Sequence, residues 1–432
     1  MNSILKLLQS RKVDFSKPFL TDGVDSLNLT NVTSQNFEHL NSIKQGDVVA
    51  LIGDFNANTI ADFLQLVERR VILMPLTIET APEHDYFFES GLVDWVVQDG
   101  ISRKIEHRNR HHLLDELRKR ENPGLILFST GTTGRPKAIL HDFTFFLQKY
   151  LTPRPSLITL NFLLFDHIGG INTLLHSMFN SGLIVSIKTR SVEEVIKICK
   201  EFNVEVLPTT PTFLRMLLMS GITTDEFPDS LKIITYGTER MDEFTLLKLN
   251  EILPEVDFRQ TFGMSELGIL RVKSESKQSL FMKIGGEGIE WKVDDKVLKI
   301  KSDTRMMGYL NSESPFDSEG WYDTKDLVEV RGEFLKVVGR TTNTVNVGGL
   351  KFLTSEVEAV GLSYPGVADL SITVKTNPIT GQHIEMIVQV DQKTLFDQEN
   401  FKKFLGHKLP RHMVPRRIIF GDVQINHRFK KS

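Results

Sequence analysis

The chain has 432 residues, 40% of them hydrophobic, so it is too long for one ordinary domain and rich enough in apolar side chains to bury more than one core. Lys and Arg total 52 against 55 Asp and Glu, a formal net charge of -3, which leaves no basic excess to attract nucleic acid. The one cysteine, Cys199, excludes an intrachain disulfide and a cysteine-based metal cluster, fits a reducing compartment, and is expected to pack rather than react.

The N-terminus, MNSILKLLQSRKVDF, has too short an apolar core for a secretory signal, and no later stretch approaches the ~18 apolar residues of a membrane span; the expected location is the cytoplasm. From about residue 48 to 262, short β-type runs alternate with longer segments of helical period. The runs are Val48 to Ile52, Val71 to Met74, Trp95 to Val97, Leu125 to Phe128, Leu183 to Ile187 and Ile233 to Tyr236. That alternation predicts an α/β fold of layered, mostly parallel sheets. After about residue 275 the rhythm changes to short strands, and Leu327 to Val330 is expected to pair with Phe334 to Val338 across Arg331-Gly332-Glu333 as part of an antiparallel β subdomain. From about Thr341 the pattern reads strand, helix, strand, strand, helix, strand, a small α+β unit. The expected division is a large unit over residues 1–339, with the antiparallel subdomain at 275–339, and a small one over 340–432.

The segment richest in chemistry is Ser129-Thr130-Gly131-Thr132-Thr133-Gly134-Arg135-Pro136-Lys137, between the run Leu125 to Phe128 and a predicted helix from His141. A loop of glycines and small hydroxyl residues brings backbone N–H groups close to phosphate oxygens, and a lysine adds positive charge. It is not the GxxxxGK[ST] loop: Pro136 precedes Lys137, and no Ser or Thr follows the lysine to hold magnesium.

This string resembles the phosphate-loop signature of the adenylate-forming superfamily, which includes acyl-CoA synthetases, adenylation domains of nonribosomal peptide synthetases and luciferase. Further strings extend the resemblance from Leu125 to the C-terminus. Gly237-Thr238-Glu239 and Thr261-Phe262-Gly263-Met264-Ser265-Glu266 each follow a β-like run, where ligands bind in open α/β sheets. The second string resembles the aromatic-Gly-x-Thr-Glu motif; the resemblance implies that Phe262 packs on adenine, Ser265 approaches the α-phosphate and Glu266 supports magnesium. Gly320-Trp321-Tyr322-Asp323-Thr324-Lys325-Asp326-Leu327 resembles Gly-Trp-x-x-Thr-Gly-Asp-Leu, which gives Asp326 the ribose hydroxyls and puts Lys325 where glycine is usual. If that position needs positive φ, a lysine there is strained. Gly339-Arg340 resembles the junction pair whose arginine contacts ribose or phosphate. Thr342 and Asn343 fall where relatives carry a hinge aspartate. Gly348 and Gly349, followed by a helix that Ser355 could cap, resemble the loop lining the path of a pantetheine thiol. Near the end, Lys430 takes the place of the adenylation lysine in Asn-x-x-Gly-Lys, with Phe429 in place of glycine and Lys431 as the rival candidate.

The resemblance implies two half-reactions: attack of a carboxylate on the α-phosphate of ATP, helped by Lys137, Glu266, Mg2+ and Lys430, then transfer of the acyl group to a thiol after the small unit rotates. In the acyl pocket, His167 and Gly170 fit a His-x-x-Gly form found in acyl and aryl acid ligases. Asp166 is open to two readings: facing the pocket it would suit an amino acid, and facing solvent or capping the next helix it would suit an unaminated acid. The leading expectation is an acyl- or aryl-CoA ligase. The alternatives are a stand-alone enzyme that loads the phosphopantetheine of an acyl carrier protein, and a nucleotide-binding homologue without turnover.

Overall fold

The computed structural model describes residues 3–106, 109–129, 135–391, 396–426, 428 and 431. Strands Val48–Ile52 and Ile72–Leu76 are buried at every position, as parallel strands covered on both faces must be. They pair with each other and are flanked in parallel by Trp95–Gln98 and Gly124–Phe128. Antiparallel partners finish this sheet: Ile101–Lys104 at one edge, Ala138–Asp142 and then Gly308–Tyr309 at the other.

A second sheet runs Asp257–Gln260, Ile233–Tyr236, Val206–Thr209, Ile158–Asn161 and Leu183–Ser186, all parallel. The N-terminal Pro18–Thr21 adds to it in parallel and Ser26–Asn28 closes the edge. Helices Ala57–Glu68 and Ile168–Phe179 share one apolar core, in which Phe165 meets Phe55 and Phe63 edge-on at centroid distances of 5.4 and 6.2 Å. Cys199 is buried in the neighbouring core, where desolvation pushes its thiol up to about 12, so it packs as expected.

The antiparallel subdomain is a sheet in which Tyr322–Arg331 pairs with Phe334–Arg340 across Gly332 and Glu333, the hairpin expected from the sequence with longer arms. Gly332 has φ +60, which the tight connection requires. Residues 344–420 build the last sheet and its own core, including Val345, Leu370, Met386 and Phe401. Helices Thr354–Leu362 and Gln398–Lys408 belong to this α+β unit.

Two local expectations are corrected. The phosphate loop does not run into a helix: Ala138–Asp142 is a strand antiparallel to Gly124–Phe128, and helix Phe143–Leu147 comes after it. The strand is buried at every position, His141 included, as one covered on both faces is, and Asp142 supplies the cap of the following helix. Ser355 is not a helix cap either; it lies inside the first turn and its hydroxyl donates to the Val338 carbonyl at 2.7 Å. No described helix is long and apolar enough to cross a membrane.

Candidate active site

A large cavity of about 1530 Å³ opens between the sheets, with Ser129, Lys137, His167, Gly237, Thr238, Gly263, Ser265, Glu266, Arg340 and Thr342 in its wall. This brings together ten of the residues singled out in the sequence, while Glu239 and Asp326 are among those that do not line it. Thr130, Gly131, Thr132, Thr133, Gly134 and Lys430 lie outside the described residues. The base of the phosphate loop is fixed by two reciprocal bonds: Ser129 N–H donates to the Lys137 carbonyl, and Lys137 N–H to the Ser129 hydroxyl, each at 3.0 Å. Pro136 has no donor to offer, and its carbonyl accepts from Tyr86 at 2.7 Å and Asn311 at 3.2 Å. The described segments on either side, Gly124–Phe128 and Ala138–Asp142, are antiparallel strands, so Lys137 leads into a strand and not into a helix N-terminus.

Lys137 and Glu266 are joined by one aromatic ring. The Lys137 ammonium lies over the face of Tyr309 at 4.7 Å, and the Tyr309 hydroxyl donates to Glu266 at 2.8 Å. Burial first, then the Glu266 charge, raises the Tyr309 phenol far above its ordinary value, so it stays a donor. Behind Ser265 stands His141, whose Nε2–H donates to the Ser265 carbonyl at 2.6 Å; desolvation pushes its pKa down to about 4 and keeps the ring neutral. His141 and Tyr309 were missed in the sequence, since a single histidine in a strand and a tyrosine in a two-residue strand carry no spacing signal.

Arg340 lines the cavity and Asp326 does not; Asp326 is largely buried and meets Arg340 Nε at 3.1 Å, while Arg340 also donates to the Thr324 carbonyl at 2.9 Å. Desolvation outweighs that guanidinium and pushes Asp326 up to about 6. Lys325 does sit at φ +61, as its motif position warned; its ammonium and N–H both bind Asp323, which fastens the strained turn. Thr238 is also left-handed, at φ +70, and Glu239 beside it accepts from Thr212 N–H and hydroxyl.

Further expected contacts fall elsewhere. Phe262 is half-buried against the core of the antiparallel sheet and is not in the cavity wall. Gly170 is not in the wall either: a Cβ there would lie 2.1 Å from the Leu164 carbonyl, so its role is close backbone approach, and Gly169 lines the cavity instead. Gly348 and Gly349, at φ +60 and +88, form the exposed tip of the hairpin Thr344–Val347 and Leu350–Leu353, away from the cavity. His167 faces the cavity while its Nδ1 accepts from Gly169 N–H at 3.0 Å, and so caps helix Ile168–Phe179. Thr342 and Asn343 are exposed in a single 3-10 turn.

The C-terminal segment reaches into this site. Asp166, 3% exposed, takes neither of the two orientations open from sequence but binds Arg428 at 2.6 Å. Lys431 turns the other way: its ammonium binds Asp369 and the Leu370 carbonyl, both at 2.7 Å, and its N–H donates to Glu239 at 3.2 Å. Asp369 also meets Arg215 at 3.2 Å, and Arg215 meets Asp242 at 3.3 Å, so a buried charge network crosses from residues 211–242 to the last sheet.

Similarity to known proteins agrees with this geometry. The chain is 26% identical to a 2-succinylbenzoate--CoA ligase of Bacillus licheniformis over 70% of its own length and 67% of that protein's. It is 22% identical to the long-chain-fatty-acid--CoA ligase FadD13 of Mycobacterium tuberculosis, over 77% and 70%. Among solved structures, the anthranilate CoA ligase AuaEII in complex with anthranoyl-AMP superposes with a TM-score of 0.80 at 16% identity, covering 100% of this chain and 95% of that one. ATP-bound MatB from Rhodopseudomonas palustris gives 0.79 at 17% identity, covering 98% and 96%. Residues 39–308 match the AMP-binding enzyme family, and the chain belongs to that family, the adenylate-forming superfamily.

Proposed function

We propose that the protein uses ATP to activate a carboxylic acid as its acyl-adenylate and then transfers the acyl group to the thiol of CoA. The observation that carries this reading is the meeting, in one cavity, of the phosphate-loop base, Lys137, Glu266 and Arg340. In the first step a carboxylate oxygen bonds to the α-phosphorus as the bond to pyrophosphate breaks. In the second, the thiol sulfur bonds to the acyl carbon, AMP leaves and the thiol proton passes to solvent. The protein's work is alignment and charge neutralisation. Lys137 and Lys430 meet negative oxygens, Ser129 and the residues of the 130–134 loop hold phosphates, Ser265 meets the α-phosphate, and Asp326 accepts from ribose hydroxyls.

Glu266 fits magnesium chemistry: it is a buried, acceptor-only carboxylate with Tyr309 fixing one oxygen, and magnesium takes one or two carboxylates together with phosphates and waters. Bound there, the ion would neutralise phosphate charge. Residues 340–432 are proposed to swing about Thr342 and Asn343 between the two steps, bringing Gly348 and Gly349 to line the thiol's path. The exposed hairpin tip in this arrangement, with Arg428 docked at the acid-binding wall, supports an adenylation-ready state.

The test is pyrophosphate release with ATP, magnesium and a panel of fatty, aryl and amino acids, with and without CoA or a phosphopantetheine-bearing carrier protein. Acid-dependent release with CoA-dependent AMP formation is expected. ATP binding without release for any acid would leave a non-catalytic nucleotide binder, and turnover only with the carrier protein would reassign the acceptor.

A further inference from the structure

The wall of the cavity beyond the nucleotide motifs is polar and positively charged on one side. Helix Ile168–Phe179 buries Ile171, Leu174, Leu175 and Met178 in the core. Its other face turns Gly169, Asn172, Thr173, His176, Ser177 and the following Asn180 to the cavity, at the spacings of three and four that define one helix face. At 1.5 Å per residue, His176 lies about 14 Å along the helix from His167.

Beside this face, in segment 148–154, which Tyr150 and Arg154 bond to Asn172 and Asn180, Lys149 and Arg154 share the same cavity wall. The Lys149 ammonium nitrogen is buried and has no hydrogen-bond partner among the described residues. It lies over the rings of Phe146 at 4.7 Å and Tyr150 at 5.0 Å. Segments 148–154 and 168–180 contain no Asp or Glu to answer its charge. Desolvation alone brings Lys149 down to about 7, and His176 is lowered by burial and then by Arg154 and Lys149. A cavity built for a plain fatty chain has no use for this arrangement, because burying an unpaired ammonium is costly. Leu157, Leu163, Ile168 and Val206 add apolar surface to a wall that also carries polar residues, Thr159, Thr209, Arg259 and Glu287 among them.

We infer that the acid substrate carries a second anionic group, a carboxylate on an otherwise apolar body, which Lys149 and His176 bind with Arg154 at the rim. The inference rests on the acid-activating reading above and names its substrate class. The four-carbon lysine stem lets the ammonium leave the two rings for a bound anion, trading a cation–π contact for a charge-assisted hydrogen bond.

The experiment compares matched pairs in ATP–pyrophosphate exchange: hexanoate with adipate, decanoate with sebacate, benzoate with isophthalate. The diacid of at least one pair should be favoured in kcat/KM by roughly 30-fold, the worth of a hydrogen bond to a buried charge. Lys149→Gln should erase the preference mainly through KM, Lys149→Arg should keep part of it, and both should bind ATP normally, which reports an intact fold. Equal or better use of every monoacid, or a preference that survives Lys149→Gln, overturns the inference and leaves acid activation standing. If no acid supports exchange, calorimetric binding of the same pairs in the presence of AMP decides. Selective diacid binding that Lys149→Gln removes upholds the anion site while counting against catalysis; absent or unselective binding overturns it.

Discussion

Arg428 and Asp166, 262 positions apart in sequence, form a buried pair at 2.6 Å that joins the C-terminal segment to the residue next to His167, which lines the cavity. Neither charge has water to fall back on, so loss of one leaves the other desolvated, at a cost of about 3–5 kcal/mol where the pair cannot relax.

If this pair holds the adenylation-ready arrangement, Asp166→Asn or Arg428→Gln should lower the acid-activation step by roughly ten- to hundredfold. Thioester formation from a supplied acyl-adenylate should change much less. Parallel assays of the two half-reactions check this; equal losses in both would mean that the pair only supports the fold.

Lys430 and Lys431 should separate cleanly. Lys431 is already bound to Asp369 and the Leu370 carbonyl, so Lys431→Ala should weaken docking of the segment and reduce exchange modestly. Lys430→Ala should abolish exchange and spare transfer from acyl-adenylate. The reverse ranking would transfer the adenylation role to Lys431.

Asp326 gives a pH signature. Its carboxyl is pushed up to about 6 by burial, so it becomes protonated, and loses acceptor capacity, as pH falls through that value. Adenosine, which has no phosphate to titrate nearby, should bind more weakly below about pH 6 than at pH 7.5. Asp326→Asn should flatten the profile. The same raised value means that ionising Asp326 opposes folding: the protonated form's advantage is complete below the ordinary aspartate value and is lost as pH rises through about 6.

Lys149 has the opposite linkage. Its folded value, about 7, lies below the ordinary 10.5, so the unfolded chain binds the extra proton between these limits and stability gains with rising pH across that window. Melting temperatures of the ligand-free protein should show this slope, and Lys149→Gln should reduce it. A bound diacid should reduce it as well, by restoring the ammonium's counter-charge.

Lys325 stands left-handed at φ +61. Replacement by glycine removes the strain at the cost of a freer unfolded chain and of the exposed Asp323 contact, so the net gain should be no more than about 1 kcal/mol. Differential scanning calorimetry of Lys325→Gly checks the sign.

Much of this architecture could be read from residues alone, because fully buried parallel strands such as Val48–Ile52 appear as unbroken apolar runs. Val206–Thr209 escaped because Pro208 demotes a strand, and Pro18–Thr21 because it pairs with residues more than 160 positions away. The phosphate-loop base, Glu266 and Arg340 reach the cavity as their motifs implied. Asp166 and Phe262 did not follow, since the direction of a side chain depends on partners that local sequence does not name. Arg428 illustrates this: nothing near it in the chain announces the buried carboxylate of Asp166.

Tyr309 sets a final constraint. With a lysine on its face and a glutamate on its hydroxyl, the phenol acts as an insulating spacer. The ring stands between the cation and the anion. If Lys137 meets phosphate oxygens and Glu266 a metal ion, as proposed, a leucine of similar bulk at that position would remove the spacer and let the two charges pair with each other in competition with the nucleotide.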